Sequence, residues 1–305
     1  MENFKAGFVA IVGRPNTGKS TLVNALVGSK IVITSHHPNT TRNPIRGIIS
    51  RDSYQMIVVD TPGMHKPKTA LGTRLNSMVN ENIHSTDLVL LCLPVNEEIG
   101  AGDEYIAKQI KSNQVVFLVV TKTDAVSKSD LAVKLTQVHE FATKTNLQKA
   151  EIIPVSAKNL DQTELLLELL SKHLPPSPAL YPTDINTDQA EELMFADLIR
   201  EAAIQELYEE LPHSVMVTIE EMGEREGGKI FDISATLHVE RDSQKGIIIG
   251  PQGSKLKAIG TLARKSIENL VDMQVFLQIH VKVSKEWQKD TKLLAKLGFT
   301  DALSD

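Results

Sequence analysis

Residues 8–26 read FVAIVGRPNTGKSTLVNAL, a strand pattern followed by a glycine-bounded loop and a helix pattern. The loop fits the spacing G-x-x-x-x-G-K-S, in which successive backbone N–H groups and the N-terminus of the following helix bind phosphate groups. Within it, Lys19 is expected to reach the β- and γ-phosphates, and Ser20 is expected to ligate Mg²⁺. The predicted phosphate-binding residues are Gly13, Arg14, Pro15, Asn16, Thr17, Gly18, Lys19, Ser20 and Thr21.

Apolar runs and helix patterns alternate on both sides of this loop. Further runs at 56–59, 88–93, 115–120 and 152–155 are almost continuously apolar, as in strands that helices cover on both faces. The alternation predicts an α/β domain with a doubly wound, mostly parallel sheet over residues 1–174.

A proline-rich segment then interrupts the alternation. Four prolines between 175 and 182 cannot continue a helix, so we place an extended linker at 175–187. Residues 188–305 follow the order helix, strand, strand, helix, loop, helix, strand and close on a basic helix near 288–297. This order is typical of a type II KH domain, an α+β fold that binds single-stranded RNA.

The loop between the two later helices of this domain has the pattern G-x-x-G, which brings the backbone close to about four nucleotides. Pro251 stands where similar loops commonly have a lysine, and it lacks an N–H, so we expect Lys255 to compensate for the lost phosphate contact. The alternative is a helix-turn-helix with a purely structural role. The predicted RNA-binding residues are Gly250, Pro251, Gln252, Gly253, Lys255, Lys257, Arg264 and Lys265.

Two further segments are expected to sense a γ-phosphate. Asp60 and Gly63 belong to the pattern D-x-x-G after the apolar run at 56–59; Asp60 suits a water-mediated Mg²⁺ contact, and the Gly63 N–H can donate to the phosphate. Thr40 and Thr41 lie in the preceding loop, and Thr41 is expected to ligate Mg²⁺. The predicted metal ligands are Ser20, Thr41 and Asp60.

Two segments at later strand ends predict that the base is guanine. Asp124 of the segment TKTD can accept hydrogen bonds from N1–H and the exocyclic amine of guanine, a pair of donors that adenine lacks. The Lys122 stem can lie along the base, and the segment SAK can donate a backbone N–H to guanine O6. The usual pattern has Asn in place of Thr121, and loss of the amide is expected to loosen base binding or its tie to the phosphate loop. The predicted base-binding residues are Thr121, Lys122, Asp124, Ser156, Ala157 and Lys158.

The bulk composition is ordinary for a globular protein, but the charge is unevenly spread. The chain of 305 residues has a net charge of −5 and one cysteine, so no disulfide can form within it. No signal-peptide pattern and no membrane-spanning apolar run is seen, which predicts a cytoplasmic location. Residues 184–226 include 13 acidic and two basic residues, whereas residues 245–296 include ten basic and four acidic ones. The second stretch favours a polyanion-binding surface.

Both halves together resemble one family. The TTR sequence at 40–42, DTPGMHKP at 60–67, LPHS at 211–214 and the C-terminal G-x-x-G loop are similar to those of the Era family of bacterial GTPases, over essentially the whole chain. The resemblance implies binding of GTP or GDP with Mg²⁺, binding of 16S ribosomal RNA near its 3′ end, and a role in assembly of the small ribosomal subunit. It also implies peripheral association with the inner face of the cell membrane. We further expect a monomer.

The sequence lacks the glutamine that orients the attacking water in many switch GTPases. Met64 and His65 follow Gly63, where that glutamine would stand, so slow intrinsic hydrolysis is expected. A general-base role for His65 is disfavoured, because phosphoryl transfer relies mostly on positioning and electrostatics. By resemblance to GTPases with the same Pro-Asn pair, Asn16 is expected to help hold a K⁺ ion that stimulates hydrolysis. The predicted catalytic residues are Lys19, Asn16, Thr41 and Gly63.

Two alternatives remain at this point. One is an RNA-binding scaffold with a decayed nucleotide site and weak GTPase activity. The other is a GTPase that acts on another RNA, such as tRNA, or on a membrane partner, and that uses its KH fold for protein contact. Intact Lys19, Ser20, Asp60 and Asp124 argue against the first, and the basic surplus after residue 245 argues against the second.

Overall fold

A computed structural model describes residues 4–34, 44–64, 70–207, 215–225 and 227–285, with the main chain alone for 70–72 and 74. Several predicted features lie outside these residues, namely Thr40, Thr41, His65, the LPHS segment and the basic helix near 288–297. The chain divides into two compact units, Met1–Asp188 and Gln189–Asp305.

The first unit alternates strands and helices, as its sequence predicted. Its strands are β1 (Lys5–Val12), β2 (Ile45–Ser50), β3 (Tyr54–Asp60), β4 (Leu88–Pro94), β5 (Val115–Thr121) and β6 (Glu151–Pro154). Its helices are α1 (Lys19–Val27), α2 (Ala70–Ser85), α3 (Ala101–Ala107), α4 (Lys128–Lys144) and α5 (Thr163–His173). After α3 the chain turns more tightly, because the N–H groups of Gln109 and Ile110 donate to carbonyls three residues back.

The six strands form one sheet in the order β2-β3-β1-β4-β5-β6, in which β2 is antiparallel to β3 and every other pair is parallel. This confirms the predicted doubly wound, mostly parallel sheet. β2 was not among the predicted strands, because Arg46 and Gly47 interrupt its apolar run. Parallel pairing brings the carboxyl ends of β1, β3 and β5 to one edge, where the predicted nucleotide-binding segments begin.

Both faces of this sheet are buried. Val9 and Ile11 of β1 belong to an apolar cluster shared with α1 and α5, whereas Ala10 and Val12 belong to a second cluster shared with α2, α3 and α4. Alternate residues of one strand therefore fill two separate cores, which explains the almost continuous apolar runs in the sequence.

The proline-rich segment at 175–187 is hydrogen-bonded to the first unit at both of its ends. The carbonyl of Pro175 accepts from an N–H of β1 at 3.1 Å, and the carbonyl of Asn186 accepts from an N–H of β2 at 2.8 Å. Beyond it, Asp188 pairs with Arg46 of β2 at 2.9 Å. The segment that its sequence suggested as a linker therefore packs as part of the first unit, which ends at Asp188.

The second unit has the order of elements that its sequence predicted. Its elements are α6 (Glu191–Glu206), β7 (Met216–Glu224), β8 (Ile230–Val239), α7 (Asp242–Ile249), α8 (Ser254–Val271) and β9 (Gln274–Val283). β8 lies at the centre of a three-stranded sheet, antiparallel to β7 and parallel to β9. Phe231 of β8 packs edge-on against Phe195 of α6, with 5.8 Å between ring centroids. Across the parts of both units that the structure describes, no helix is long and apolar enough to cross a membrane.

A buried carboxamide holds the middle of the proline-rich segment. Gln55 of β3 is fully buried, and its Oε1 accepts from the N–H groups of Leu180 and Tyr181 at 2.7 and 2.9 Å. Its Nε2 donates to the carbonyl of Tyr181 at 2.9 Å. One side chain thus satisfies three main-chain groups of the segment.

Replacing Gln55 with Ala is expected to lower the free energy of unfolding of the first unit by about 1–3 kcal/mol, because it removes three partly buried hydrogen bonds to Leu180 and Tyr181. Urea unfolding followed by circular dichroism measures the change. Gln148→Ala, at an exposed position after α4, serves as the control and should stay within about 0.5 kcal/mol of the parent. Equal stability of the two variants would contradict a structural role for Gln55.

Candidate nucleotide-binding and RNA-binding sites

The loop between β1 and α1 has backbone conformations that favour glycine at both ends. Gly13 has φ 157° and Gly18 has φ 90°. A Cβ at Gly13 would lie 2.7 Å from Oγ1 of Thr17 and 2.9 Å from the carbonyl oxygen of Cys92. The loop therefore closes tightly over the end of β1 and leads directly into the N-terminus of α1.

The ammonium group of Lys19 lies inside this loop. Its Nζ donates to the carbonyls of Gly13 at 3.2 Å and Arg14 at 2.8 Å. Burial lowers the pKa of Lys19, an effect that the nearby Asp60 carboxylate opposes. Phosphate oxygens form stronger, charge-assisted hydrogen bonds than neutral carbonyls do, so they can replace these partners with a gain in free energy.

The two described members of the predicted metal site are adjacent. Ser20 Oγ donates to Asp60 Oδ2 at 2.8 Å, and Asp60 is fully buried at the end of β3. A hydroxyl and a carboxylate are hard oxygen donors, and together with phosphate oxygens and water they suit Mg²⁺. The donor set therefore fits the ion that the sequence predicted.

The segment after β3 packs directly against the phosphate loop. A Cβ at Gly63 would lie 2.7 Å from Cα of Pro15, so this position needs a glycine. The N–H of Met64 donates to the carbonyl of Gly13 at 3.1 Å, and the Met64 side chain is fully buried. The side chain at the position of the usual glutamine thus belongs to the core.

Thr121 keeps the tie to the phosphate loop that loss of the amide put in question. Its Oγ1 donates to the main-chain carbonyl of Thr17 at 2.6 Å, and both residues are buried. A hydroxyl is therefore long enough to join the end of β5 to the loop after β1. The expected loosening does not extend to this contact.

The predicted base-binding segments are joined to each other. Asp124 Oδ1 accepts from Ser156 Oγ at 2.7 Å. Ser156 and Asp161 exchange two main-chain hydrogen bonds of 3.1 and 2.9 Å, which close the loop that carries the exposed Lys158 and the half-buried Ala157. Asp124 and the expected O6 donor segment are thus brought together.

Sequence reasoning missed one residue that shapes this site. Asn24, in the middle of α1, accepts from the N–H groups of Ile31 and Val32 at 2.9 and 3.0 Å and donates to the Val32 carbonyl at 2.8 Å. It holds the start of the segment that leads towards Thr41. The signal in the sequence is a lone amide in the otherwise apolar helix stretch LVNALV.

The G-x-x-G loop of the second unit also needs its glycines. Gly250 has φ 69° and ψ 177°, a region open essentially to glycine alone, and a Cβ there would lie 2.8 Å from Cβ of Lys255. Gln252 and Gly253 are left-handed, at φ 51° and 77°. The loop is compact, and Pro251 and Gln252 at its tip are exposed.

The predicted basic residues of this site all lie on α8. Lys255 is half-buried beside the loop, whereas Lys257, Arg264 and Lys265 are exposed. Arg264 follows Lys255 by about 14 Å along the helix axis, at 1.5 Å per residue. The helix can therefore present positive charge both at the loop and well beyond it.

Replacing Asp124 with Asn tests the base assignment. In the assigned role the carboxylate accepts two hydrogen bonds, and the amide keeps an acceptor for only one of them. A hydrogen bond to a charged group contributes about 1.5–3 kcal/mol, so GTP affinity should fall roughly 10- to 100-fold. Affinity for XTP should rise, because the amide can donate to the second carbonyl of xanthine. Fluorescence titration with both nucleotides measures this. Asp52→Asn, the same change in the exposed β2–β3 turn, should leave both affinities unaltered; an unchanged preference for GTP in Asp124→Asn would refute the assignment.

Comparison with known proteins finds a family model for each of the two units. A family model described as a 50S ribosome-binding GTPase matches residues 8–122, and one described as a KH domain matches residues 210–288. GTPase Era of Nocardioides sp. is 52% identical over 302 residues, covering 97% of this chain and 96% of that protein. GTPase Era of Mycobacterium tuberculosis is 50% identical over 304 residues, covering 98% and 100%.

Solved structures show the same likeness. An Aquifex aeolicus Era variant bound to GDP·AlF4⁻ has a TM-score of 0.91 at 32% identity, covering 97% of this chain and 100% of that one. Era in complex with MgGDPNP and nucleotides 1506–1542 of 16S ribosomal RNA has a TM-score of 0.91 at 33% identity, covering 97% and 99%. With a GTPase model matched over residues 8–122, a KH model over residues 210–288 and Era relatives about 50% identical over nearly its whole length, the chain belongs to the Era family of GTPases.

Proposed function

We propose that this GTPase is a slow switch that binds 16S ribosomal RNA near its 3′ end and assists assembly of the small ribosomal subunit. The observation that carries the proposal is the solved Era complex with MgGDPNP and nucleotides 1506–1542 of 16S RNA, to which 97% of this chain is similar at a TM-score of 0.91. The glycine geometry at Gly250 and Gly253 supports the RNA part, since it permits close approach of a nucleic-acid backbone.

In this proposal the phosphates of GTP lie against the loop that begins at Gly13, and Lys19 leaves its carbonyl partners to contact the β- and γ-phosphates. Ser20, Asp60 and Thr41 hold Mg²⁺, which when bound neutralises charge on the phosphate oxygens. Gly63 donates its N–H to the γ-phosphate. Gly63 packs on Pro15 of the phosphate loop. Loss of the γ-phosphate therefore removes a contact of the segment after β3, and this segment can change its position.

The base lies between the segments at 121–124 and 156–158. Asp124 accepts from guanine, and Ser156 holds the carboxylate in place through its 2.7 Å hydrogen bond. Lys122 covers the base with its stem. Ala157 and Lys158 supply main-chain N–H groups at the O6 edge. This division of roles explains selectivity for guanine, since adenine offers neither the paired donors nor O6.

Hydrolysis is slow because the position after Gly63 cannot orient water. Met64 is held in the core and its N–H is engaged by Gly13. The exposed, left-handed Asn16 would help to hold a K⁺ ion, which would supply positive charge to the phosphates. In phosphoryl transfer such charge stabilises the transition state.

In the second unit, the loop at 250–253 clamps the RNA backbone and the N-terminus of α8 faces its phosphates. Lys255 replaces the contact that Pro251 cannot make, and Lys257, Arg264 and Lys265 extend the positive surface along α8. An RNA-binding scaffold with a decayed nucleotide site is disfavoured by the intact pairing of Ser20 with Asp60. We place the protein in the cytoplasm, acting as a monomer; peripheral membrane association finds no support among the described residues and is not part of the proposal.

The K⁺ assignment predicts that GTP hydrolysis is at least about tenfold faster in KCl than in NaCl at equal ionic strength, because added positive charge near the γ-phosphate lowers the barrier. Phosphate release measures the rate. Asn16→Ala should remove the difference while retaining nucleotide binding. Equal rates of the parent protein in the two salts would refute the assignment.

The RNA assignment predicts that Lys255→Gln and Lys257→Gln each weaken binding of an oligonucleotide with the 3′-terminal 16S sequence and lower the slope of log affinity against log salt by about one. Filter binding at several salt concentrations measures both quantities. Lys149→Gln, an exposed change in the first unit, should alter neither.

The same RNA-binding titration tests whether the bound nucleotide controls RNA affinity. RNA affinity should differ between the protein loaded with a GTP analogue and the protein loaded with GDP. Identical affinity in the two states would contradict control of RNA binding by nucleotide, and equal affinity for a scrambled oligonucleotide would contradict the choice of RNA.

A further inference from the structure

The segment between β4 and α3 contains a carboxylate that faces both halves of the nucleotide site. We infer that Glu97 is a positioning residue that joins the phosphate loop to the base-binding lysine. The inference deepens the proposed function and rests on its assignment of nucleotide binding. It depends on three sets of contacts, from Arg14, from Lys122 and from Lys134.

The first contacts anchor the phosphate loop to this segment. Arg14 donates through Nε to Asp103 Oδ1 at 2.9 Å and through Nη2 to the carbonyl of Glu98 at 3.1 Å. Its Nη2 also lies 3.3 Å from Glu97 Oε2. Asp103 is fully buried, and its other oxygen accepts from the N–H of Gly100 at 2.9 Å. The guanidinium is thus held at three points by one short stretch of chain.

The second contact reaches the base-binding segment. Lys122 Nζ lies 3.6 Å from Glu97 Oε1, the oxygen that does not face Arg14. The Lys122 stem passes beside Gly18, where a Cβ would lie 4.0 Å from its Cε. The two oxygens of one carboxylate therefore serve the two loops that grip opposite ends of a nucleotide.

The third contact fixes the bridging residue itself. Lys134 of α4 is buried, and its Nζ donates to the main-chain carbonyl of Glu97. The main chain of Glu97 is therefore anchored from α4, while its side chain, 34% exposed, remains able to pair with both cations.

This arrangement has a consequence for nucleotide affinity. A lysine side chain carries about 2 kcal/mol of rotamer entropy, which it loses when it is laid along a base. An ion pair that already restrains the Lys122 side chain reduces this loss on binding, which is the effect of preorganisation. Glu97 is expected to act on nucleotide retention through Lys122, and on the phosphate loop through Arg14.

The test is the dissociation rate of N-methylanthraniloyl-GDP from full-length protein in Mg²⁺. Glu97→Gln should dissociate roughly three- to tenfold faster, the range expected when two partly exposed ion pairs are lost. The sign is informative, because removing a negative charge near an anionic ligand would by itself slow dissociation. The acceleration should shrink at high salt, which screens exposed pairs.

Glu98→Gln is the matched control. It removes the same charge from the neighbouring residue, whose side chain is exposed and whose carbonyl, retained in the variant, makes the contact to Arg14. Its dissociation rate should equal or fall below that of the parent protein. Equal rates for Glu97→Gln and Glu98→Gln would overturn the inference.

A double-mutant cycle separates positioning from a general loss of stability. Lys122→Met keeps the apolar stem and removes the ammonium group, so Glu97→Gln should accelerate dissociation less in that background than in the parent. A full effect of Glu97→Gln in both the Lys122→Met and the Arg14→Gln backgrounds would show that it acts through neither partner and would overturn the inference. Failure of the parent protein to bind the labelled GDP would instead contradict the nucleotide assignment on which the inference rests.

Discussion

Parallel pairing of β3, β1, β4 and β5 is the constraint on which the nucleotide site depends. Strands paired in parallel end at the same edge of a sheet, so the loops after Val12, Asp60 and Thr121 must meet there although they are far apart in sequence. The apolar clusters on the two faces hold these strands in place. A change that disturbed the pairing of these strands would move apart the residues that bind the phosphates, the metal ion and the base.

Side chains that bond to main-chain groups then join these loops to one another. The Thr121 hydroxyl reaches the carbonyl of Thr17 at 2.6 Å, and the Thr61 hydroxyl reaches the carbonyl of Ile11 at 2.7 Å. An unmade hydrogen bond at such a buried position costs about 1–3 kcal/mol, so the loops are strongly held before a nucleotide arrives. Nearer the surface, the Glu97 carboxylate joins two of these loops through ion pairs with Arg14 and Lys122.

The two units share one local structure at the sites expected to bind phosphate groups. In each, a glycine in the left-handed region immediately precedes a helix: Gly18 at φ 90° before α1 and Gly253 at φ 77° before α8. Glycine permits the sharp entry, and the helix that follows offers the N–H groups of its first turn and the positive end of its dipole. The first unit adds a buried lysine, whereas the second adds exposed lysines. This difference suits an enclosed nucleotide in one case and a long polymer in the other.

The sequence by itself determined the features that depend on a few consecutive residues. The phosphate loop, the alternation that implies a parallel sheet, the segment ending at Asp124 and the G-x-x-G loop are local, because backbone conformation and strand or helix period are properties of short stretches. Only the tertiary structure decided which distant residues touch. It placed Met64 in the core, packed the segment at 175–187 onto β3 through Gln55, and set Glu97 between Arg14 and Lys122. These contacts join residues of different strands and loops, and their distances follow from how the sheet and helices pack rather than from any spacing along the chain.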